Sequence, residues 1–241
     1  MTVLLALALI SMGCEKDNPN PDDENTDVVL RISKMADNIE MEDPIVFHYN
    51  SEGLVNQIED GIFIKSIEYD EQNRPIKWSR VEYDRPESLQ TTNIEWTDDG
   101  FVVYGDICTL DDEGRISRIS SQNDEGIIVH SKDYTYVGES RVTIERKDDS
   151  GNVYETYEIE FGSVYNPFRY FDVALTVLDY TVCPDDVPSH HSNYALSSTV
   201  DGNQSLTATY EVNEYNIPIK GTFSNAYYGS DEIYYYEYET N

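Results

Sequence analysis

The chain has 241 residues, 39% of them apolar, which is enough to pack one large domain or two small ones. Sixteen Lys and Arg stand against 47 Asp and Glu, a formal charge of −31 at pH 7. Such a field repels phosphate backbones and argues against nucleic acid as a partner. Twenty Tyr, with abundant Val, Ile and Thr, favour strands.

The run Val3–Ile10, "VLLALALI", is apolar but too short to cross a bilayer. Ser11, Met12 and Gly13 then supply small or flexible residues before Cys14, the pattern of a cleaved signal over residues 1–13. Gly13-Cys14 resembles the lipobox of bacterial lipoproteins. The resemblance implies diacylglycerol on the Cys14 thiol, cleavage before it, and a membrane partner through the lipid anchor. The plainer alternative is a secretory signal with an incidental cysteine. Residues 14–27 carry "EKDNPNPDDENTD", which reads as an extended, disordered acidic tether. Its acidic cluster resembles the surface-export signal of Bacteroidetes lipoproteins, which implies a protein facing outward from the outer membrane.

Residues 28–241 read as a single β domain. "IFIKSIEY" (62–69), "RVTIERK" (141–147) and "VYETYEIEF" (153–161) alternate apolar and polar residues as half-buried strands do. Seven turns repeat one device: Asn50…Gly53, Asp70…Asn73, Thr97…Gly100, Asp111…Gly114, Asn123…Gly126, Asp148…Gly151 and Asn213…Asn216. An Asx or Thr oxygen at the first position accepts backbone N–H groups. Gly or Asn at the fourth tolerates the left-handed backbone. "NRPIK" (73–77) and "NIPIK" (216–220) repeat one hairpin unit. The predicted fold is mainly β, an antiparallel meander of hairpins in a twisted or curled sheet with one short helix packed on it.

"YDEQNRPIKW" (69–78) and "LDDEGRISRI" (110–119) resemble YD-type repeats, aromatic-Asp-x-x-Gly-Arg-apolar-x-x-apolar. The whole chain is similar to Bacteroidetes lipoproteins with a YD-repeat-like domain of unknown function. That resemblance implies hairpin repeats and supplies no catalytic residues.

In "NPFRYFDVALTVLDYTVCP" (166–184), Phe171, Ala174, Leu175, Leu178 and Val182 fall at helical spacing. Asn166 as N-cap and Pro167 at the first position predict a helix over 168–180, with a strand from Ala174 to Val182 as the rival. "DDVPSHHSN" follows as a loop. His190 and His191, near Cys183, Asp185 and Asp186, read as solvated loop residues, so no metal and no cofactor are expected. "DDSGN" and "DDEG" lack calcium-loop spacing. Cys108 and Cys183 form either a disulfide or two separate buried thiols.

No nucleophile elbow, zincin helix or phosphate loop is present, and no catalytic residue is assigned. The candidate ligand-binding aromatics are Trp78, Trp96, Tyr234, Tyr236 and Tyr238. Tyr234, Tyr236 and Tyr238 share one face of a strand whose other face carries Ile233 and Tyr235. Cross-strand pairing that only stabilises the sheet is the rival role. The functional expectation is a non-enzymatic binding or structural module for a glycan or an envelope protein, with a secreted hydrolase using a cryptic carboxylate pair as the alternative.

Overall fold

The computed structural model describes residues 30–168, 171–178, 193–226, 229 and 231–240. Cys14, the expected signal, the tether, Cys183, Asp185, Asp186, His190 and His191 lie outside them, and with Cys183 lies the choice between a bridge to Cys108 and two separate thiols.

The strands are β1 (Leu30–Ala36), β2 (Ile45–Tyr49), β3 (Val55–Glu59), β4 (Phe63–Tyr69), β5 (Pro75–Glu82) and β6 (Arg85–Asn93). Next come β7 (Glu95–Trp96), β8 (Gly100–Val103), β9 (Asp106–Leu110), β10 (Ile116–Gln122), β11 (Ile128–Val137) and β12 (Arg141–Lys147). β13 (Val153–Tyr165), α1 (Val173–Leu178), β14 (Asn193–Val200), β15 (Asn203–Val212), β16 (Pro218–Asn225) and β17 (Asp231–Thr240) complete them. All belong to one 17-stranded antiparallel sheet, as the meander reading expected. β1 pairs with β17 from Leu30↔Thr240 to Ala36↔Tyr235, and with β2 through Lys34↔Val46 and Met35↔Ile45. The ladder thus returns to its start and nearly closes into a barrel.

The seam lies at β6. From Gln90 to Asn93, and again at Arg85 after a register shift, β6 pairs with β5, whereas only its short continuation β7 pairs with β8, at Glu95↔Val102 and Trp96↔Phe101. The β8–β9 hairpin turns back at Tyr104–Gly105, with φ of 54° and 84°, before it can flank the rest of β6.

Alternation decides what faces where. Between β12 and β13 the pairs Val142↔Ile159 and Ile144↔Tyr157 lie inside, and Thr143↔Glu158 and Arg141↔Glu160 lie outside. Val142, Ile144 and Ile159 are fully buried. Between β15 and β16, Ala208↔Phe223 lies inside, and Thr209↔Thr222 and Glu211↔Lys220 outside. The larger core cluster joins Ile32, Phe47, Ile58, Ile67, Phe101 and Phe223 to the helix, and a second holds Val142, Ile144, Ile159, Phe161 and Ala195. The interior is therefore packed with apolar side chains, while the outer face at these pairs is charged and hydroxylated, with apolar residues such as Ile128 and Leu196 exposed elsewhere.

The helix starts later than expected, at Val173 rather than at residue 168. Asp172 caps it, its Oδ1 accepting the Ala174 N–H at 2.9 Å, while Asn166 Oδ1 accepts the Phe168 N–H in a preceding turn. Val173 and Val177 carry the β-branching that weakens a helix here. The expected stripe survives: Phe171, Ala174, Leu175 and Leu178 are all buried.

Candidate functional site

Six of the seven expected turns share one geometry. At Asn50, Asp70, Asp111, Asn123, Asp148 and Asn213, Oδ1 accepts the N–H groups two and four residues on. The fourth residues, Gly53, Asn73, Gly114, Gly126, Gly151 and Asn216, have φ between 59° and 80°. The seventh differs. Thr97 donates its N–H to the Gly100 carbonyl at 2.9 Å, and Gly100 has φ 156°. Glycine is needed there because a Cβ would stand 2.0 Å from the Cys108 carbonyl oxygen.

The turns are then tied to one another. The carbonyl five residues after the turn Asx accepts a hydrogen bond from an aromatic side chain further along. Tyr69 Oη reaches Val55 O at 2.5 Å, Trp96 Nε1 reaches Pro75 O at 2.8 Å, Tyr136 Oη reaches Ile116 O at 3.0 Å, and Tyr238 Oη reaches Pro218 O at 2.6 Å. In the two turns with Arg at the next position, the guanidinium grips its own Asp and lies over the docking ring. Arg74 binds Asp70 Oδ2 through Nη2 at 2.7 Å and covers Trp96; Arg115 does the same to Asp111 and Tyr136. The "NRPIK" and "NIPIK" units match here as well. Pro75 and Pro218 are fully buried, and Lys77 and Lys220 each pair with a Glu nine residues back at 2.6 Å.

These bonds place the candidate aromatics. Trp78 is 5% exposed and Tyr236 is 4% exposed, both inside the larger core. Trp96, Tyr234 and Tyr238 pack against that core from its margin. The face shared by Tyr234, Tyr236 and Tyr238 is thus the inner one: Tyr236 Oη meets Tyr194 Oη at 3.3 Å, and Tyr234 stands edge-on to Phe223. Ile233 and Tyr235 take the outward side, opposite Thr222 and Lys220. The five rings do not form one open row.

Two clefts at the rim are lined by described residues. One of about 580 Å³ lies between the Asn50 and Asp70 turns and is lined by Glu52, Asn56, Tyr69 and Glu71 as well. The other, about 380 Å³, is lined by Asp37, Asn38, Glu42, Asp43 and Tyr234. Both offer acceptors, suited to ammonium or hydroxyl donors. Burial pushes the Asp172 carboxyl up to about 6, opposed by its bond from Ala174 and aided by the Asp70 carboxylate. Asp70 goes the other way. Burial works against it, yet hydrogen bonds from Arg74 and Gln72 hold its carboxyl below the usual range. Both Asp70 oxygens are engaged by its own turn, and Asp172 Oδ1 by the helix, so this acidic pair works in structure. The same turn chemistry recurs at Asp111 and Asp148. Among the described residues no group of three or more His, Cys, Asp and Glu is arranged to hold a metal.

Sequence reasoning missed Asp172 and the aromatic clasps. Their signal was an aromatic side chain placed 14 to 21 residues after the carbonyl it binds.

No known protein family matches the chain, and no curated protein matches it. A solved porin-like protein from Bacteroides uniformis aligns at 13% identity over 88% of this chain and 95% of that one, with a TM-score of 0.44.

Proposed function

We propose that the chain is a lipid-anchored protein of the bacterial outer membrane that presents a rigid β module to water and acts by binding rather than catalysis. The observation that carries this reading is the Gly13-Cys14 junction, set between an apolar run and an acidic, proline-bearing tether. The fold is in keeping with it. A barrel that meets lipid carries a continuous apolar band outward, whereas this one packs its two apolar clusters inside and turns Glu158, Glu160, Thr209 and Lys220 outward beside single exposed apolar residues such as Ile128 and Leu196. Attachment therefore falls to the acylated cysteine, and two or more chains would hold it stably. Non-enzymatic action is in keeping with the turn acids, whose oxygens are engaged by backbone N–H groups. With Trp78 and Tyr236 in the core, recognition falls to the polar rim and edge of the sheet, which suits an envelope protein better than a stacked glycan.

The test is metabolic labelling with an alkynyl fatty acid in a Bacteroidetes host, followed by membrane fractionation and protease treatment of whole cells. The wild-type chain is expected to carry label, sediment with the outer membrane and be cut on intact cells. Cys14→Ala is expected to lose label and membrane association. An unlabelled wild-type chain in the soluble fraction would overturn the anchor.

A further inference from the structure

We propose that the open edge of β6 is a strand-addition site for an extended, cationic segment of a partner polypeptide. The inference rests on the binding reading above but not on the lipid anchor.

The edge is defined by hydrogen-bond parity. Ile94 donates its N–H to the Ile76 carbonyl at 2.9 Å, and the register runs on through Lys77↔Asn93, Trp78↔Thr92, Ser79↔Thr91 and Arg80↔Gln90. In an antiparallel pair, hydrogen-bonded and non-bonded positions alternate. Ile94, Thr92 and Gln90 therefore turn their backbone groups toward β5. Asn93 and Thr91 turn theirs to the opposite side, where no strand pairs with β6 among the described residues. Both side chains are exposed, and beyond Arg80↔Gln90 the register with β5 shifts.

Natural sheets blunt such edges with proline, charge or a covering element. Here Pro86 sits at the start of the strand only, and the β8–β9 hairpin is too short to cover the rest. What remains, at Thr91 and Asn93, are backbone donors and acceptors that no described strand takes, of the kind an extended peptide uses.

Charge selects the occupant. Arg85 and Glu87 cancel along the strand itself. Both its ends are acidic and exposed, with Asp84 at one and Glu95, Asp98 and Asp99 at the other. The chain as a whole carries −31. A second copy would bring the same acidic ends and the same net charge against themselves, whereas a Lys-bearing strand is drawn in.

The test titrates the full chain in mild detergent with a capped nonapeptide of alternating Lys, Val and Thr, followed by calorimetry and isotope-edited infrared spectroscopy of the peptide amides. Saturable binding with the peptide amides shifted to the strand frequency is expected. A peptide of equal charge with proline at every third position is expected to bind about tenfold more weakly or worse. Thr91→Pro with Asn93→Pro removes the two outward donors while leaving those that face β5, and a comparable loss is expected. A second variant with Glu95, Asp98 and Asp99 changed to Lys leaves the β6 backbone intact and is expected to weaken binding through charge alone. Equal binding of the proline peptide, or no loss in the two-proline variant, would show bare electrostatics and overturn the site. Without peptide, a concentration-dependent dimer abolished by the two prolines would overturn the partner in favour of a second copy.

Discussion

Trp96 Nε1 donates to the Pro75 carbonyl at 2.8 Å while the Arg74 guanidinium lies 5.4 Å from the centre of its ring. Tyr238 Oη meets the Pro218 carbonyl at 2.6 Å in the matching unit, where Ile217 stands in the place of Arg74. One side chain thus closes a turn that lies 20 or 21 residues behind it in sequence. Tyr238→Phe keeps the ring and leaves the Pro218 carbonyl without this donor. Urea denaturation is expected to show a loss of about 1 kcal/mol, with the slope unchanged.

Gly100 tests the turn that departs from the rest. Its Cβ would stand 2.0 Å from the Cys108 carbonyl, whereas a Cβ at Gly114 meets nothing within 4 Å. Gly100→Ala is expected to cost roughly 2–4 kcal/mol by forcing the β8–β9 backbone apart. Gly114→Ala, strained only by its φ of 76°, is expected to cost roughly 1 kcal/mol in the same denaturation series.

Asp172 sets a pH dependence opposite to that of the turn acids. Burial raises its carboxyl to about 6, above the ~3.9 of an unfolded Asp. The folded chain therefore holds this proton more tightly than the unfolded chain does. The resulting stability is full below the unfolded value and is lost as pH rises through about 6. Asp172→Asn keeps an oxygen for the Ala174 N–H and carries no charge. It is expected to gain roughly 1–3 kcal/mol over wild type at pH 7 and nothing near pH 3.5, measured by urea titration at both values.

Asp111 carries the opposite sign. Burial works against it, but bonds from Arg115 and Glu113 hold its carboxyl below the ordinary range. Its stabilisation is present above the unfolded value and is lost as pH falls through the lower folded one. Asp111→Ala is expected to cost about 1–2 kcal/mol at neutral pH, because two backbone N–H groups lose their acceptor. The difference from wild type is expected to shrink in strong acid, and a difference that grew there would contradict the turn role.

Cys108 is 1% exposed, and burial pushes its thiol up to about 12, with Asp106 adding to the rise. With Cys14 and Cys183 replaced by Ser, the remaining thiol is expected to resist a disulfide reagent in the native state and to react at once in denaturant. Mass analysis of the wild-type chain after alkylation without reductant distinguishes a Cys108–Cys183 bridge from two separate thiols.

The turns were legible because their chemistry is local. Asn50, Asp70, Asp111, Asn123, Asp148 and Asn213 each act on backbone within four residues, so spacing alone carries them. Alternation likewise placed β12 at Arg141–Lys147, as expected. It could not say which face of β17 was the inner one, because tyrosines stand on both. Tyr234, Tyr236 and Tyr238 turned inward because their partners Phe223 and Tyr194 come from strands with which their own sequence has no visible bond. The helix start failed for a similar reason. Asn166-Pro167 carries the local signal of a cap, yet Asp172 takes that place next to the apolar stripe that α1 buries. Long-range bonds such as Tyr69 to Val55 require the fold before they can be read.

The pairing of Leu30 with Thr240 also bears on how the chain is made. Almost the whole length of the polypeptide separates the two strands that draw the ring shut, and such distant partners find each other late. Until β17 emerges, β1 has only a two-residue ladder with β2 to hold it. A half-synthesised chain therefore has its first strand loose and its ring undone. The same latch that makes the finished module hard to open leaves the nascent one pliable until its last strand is in place.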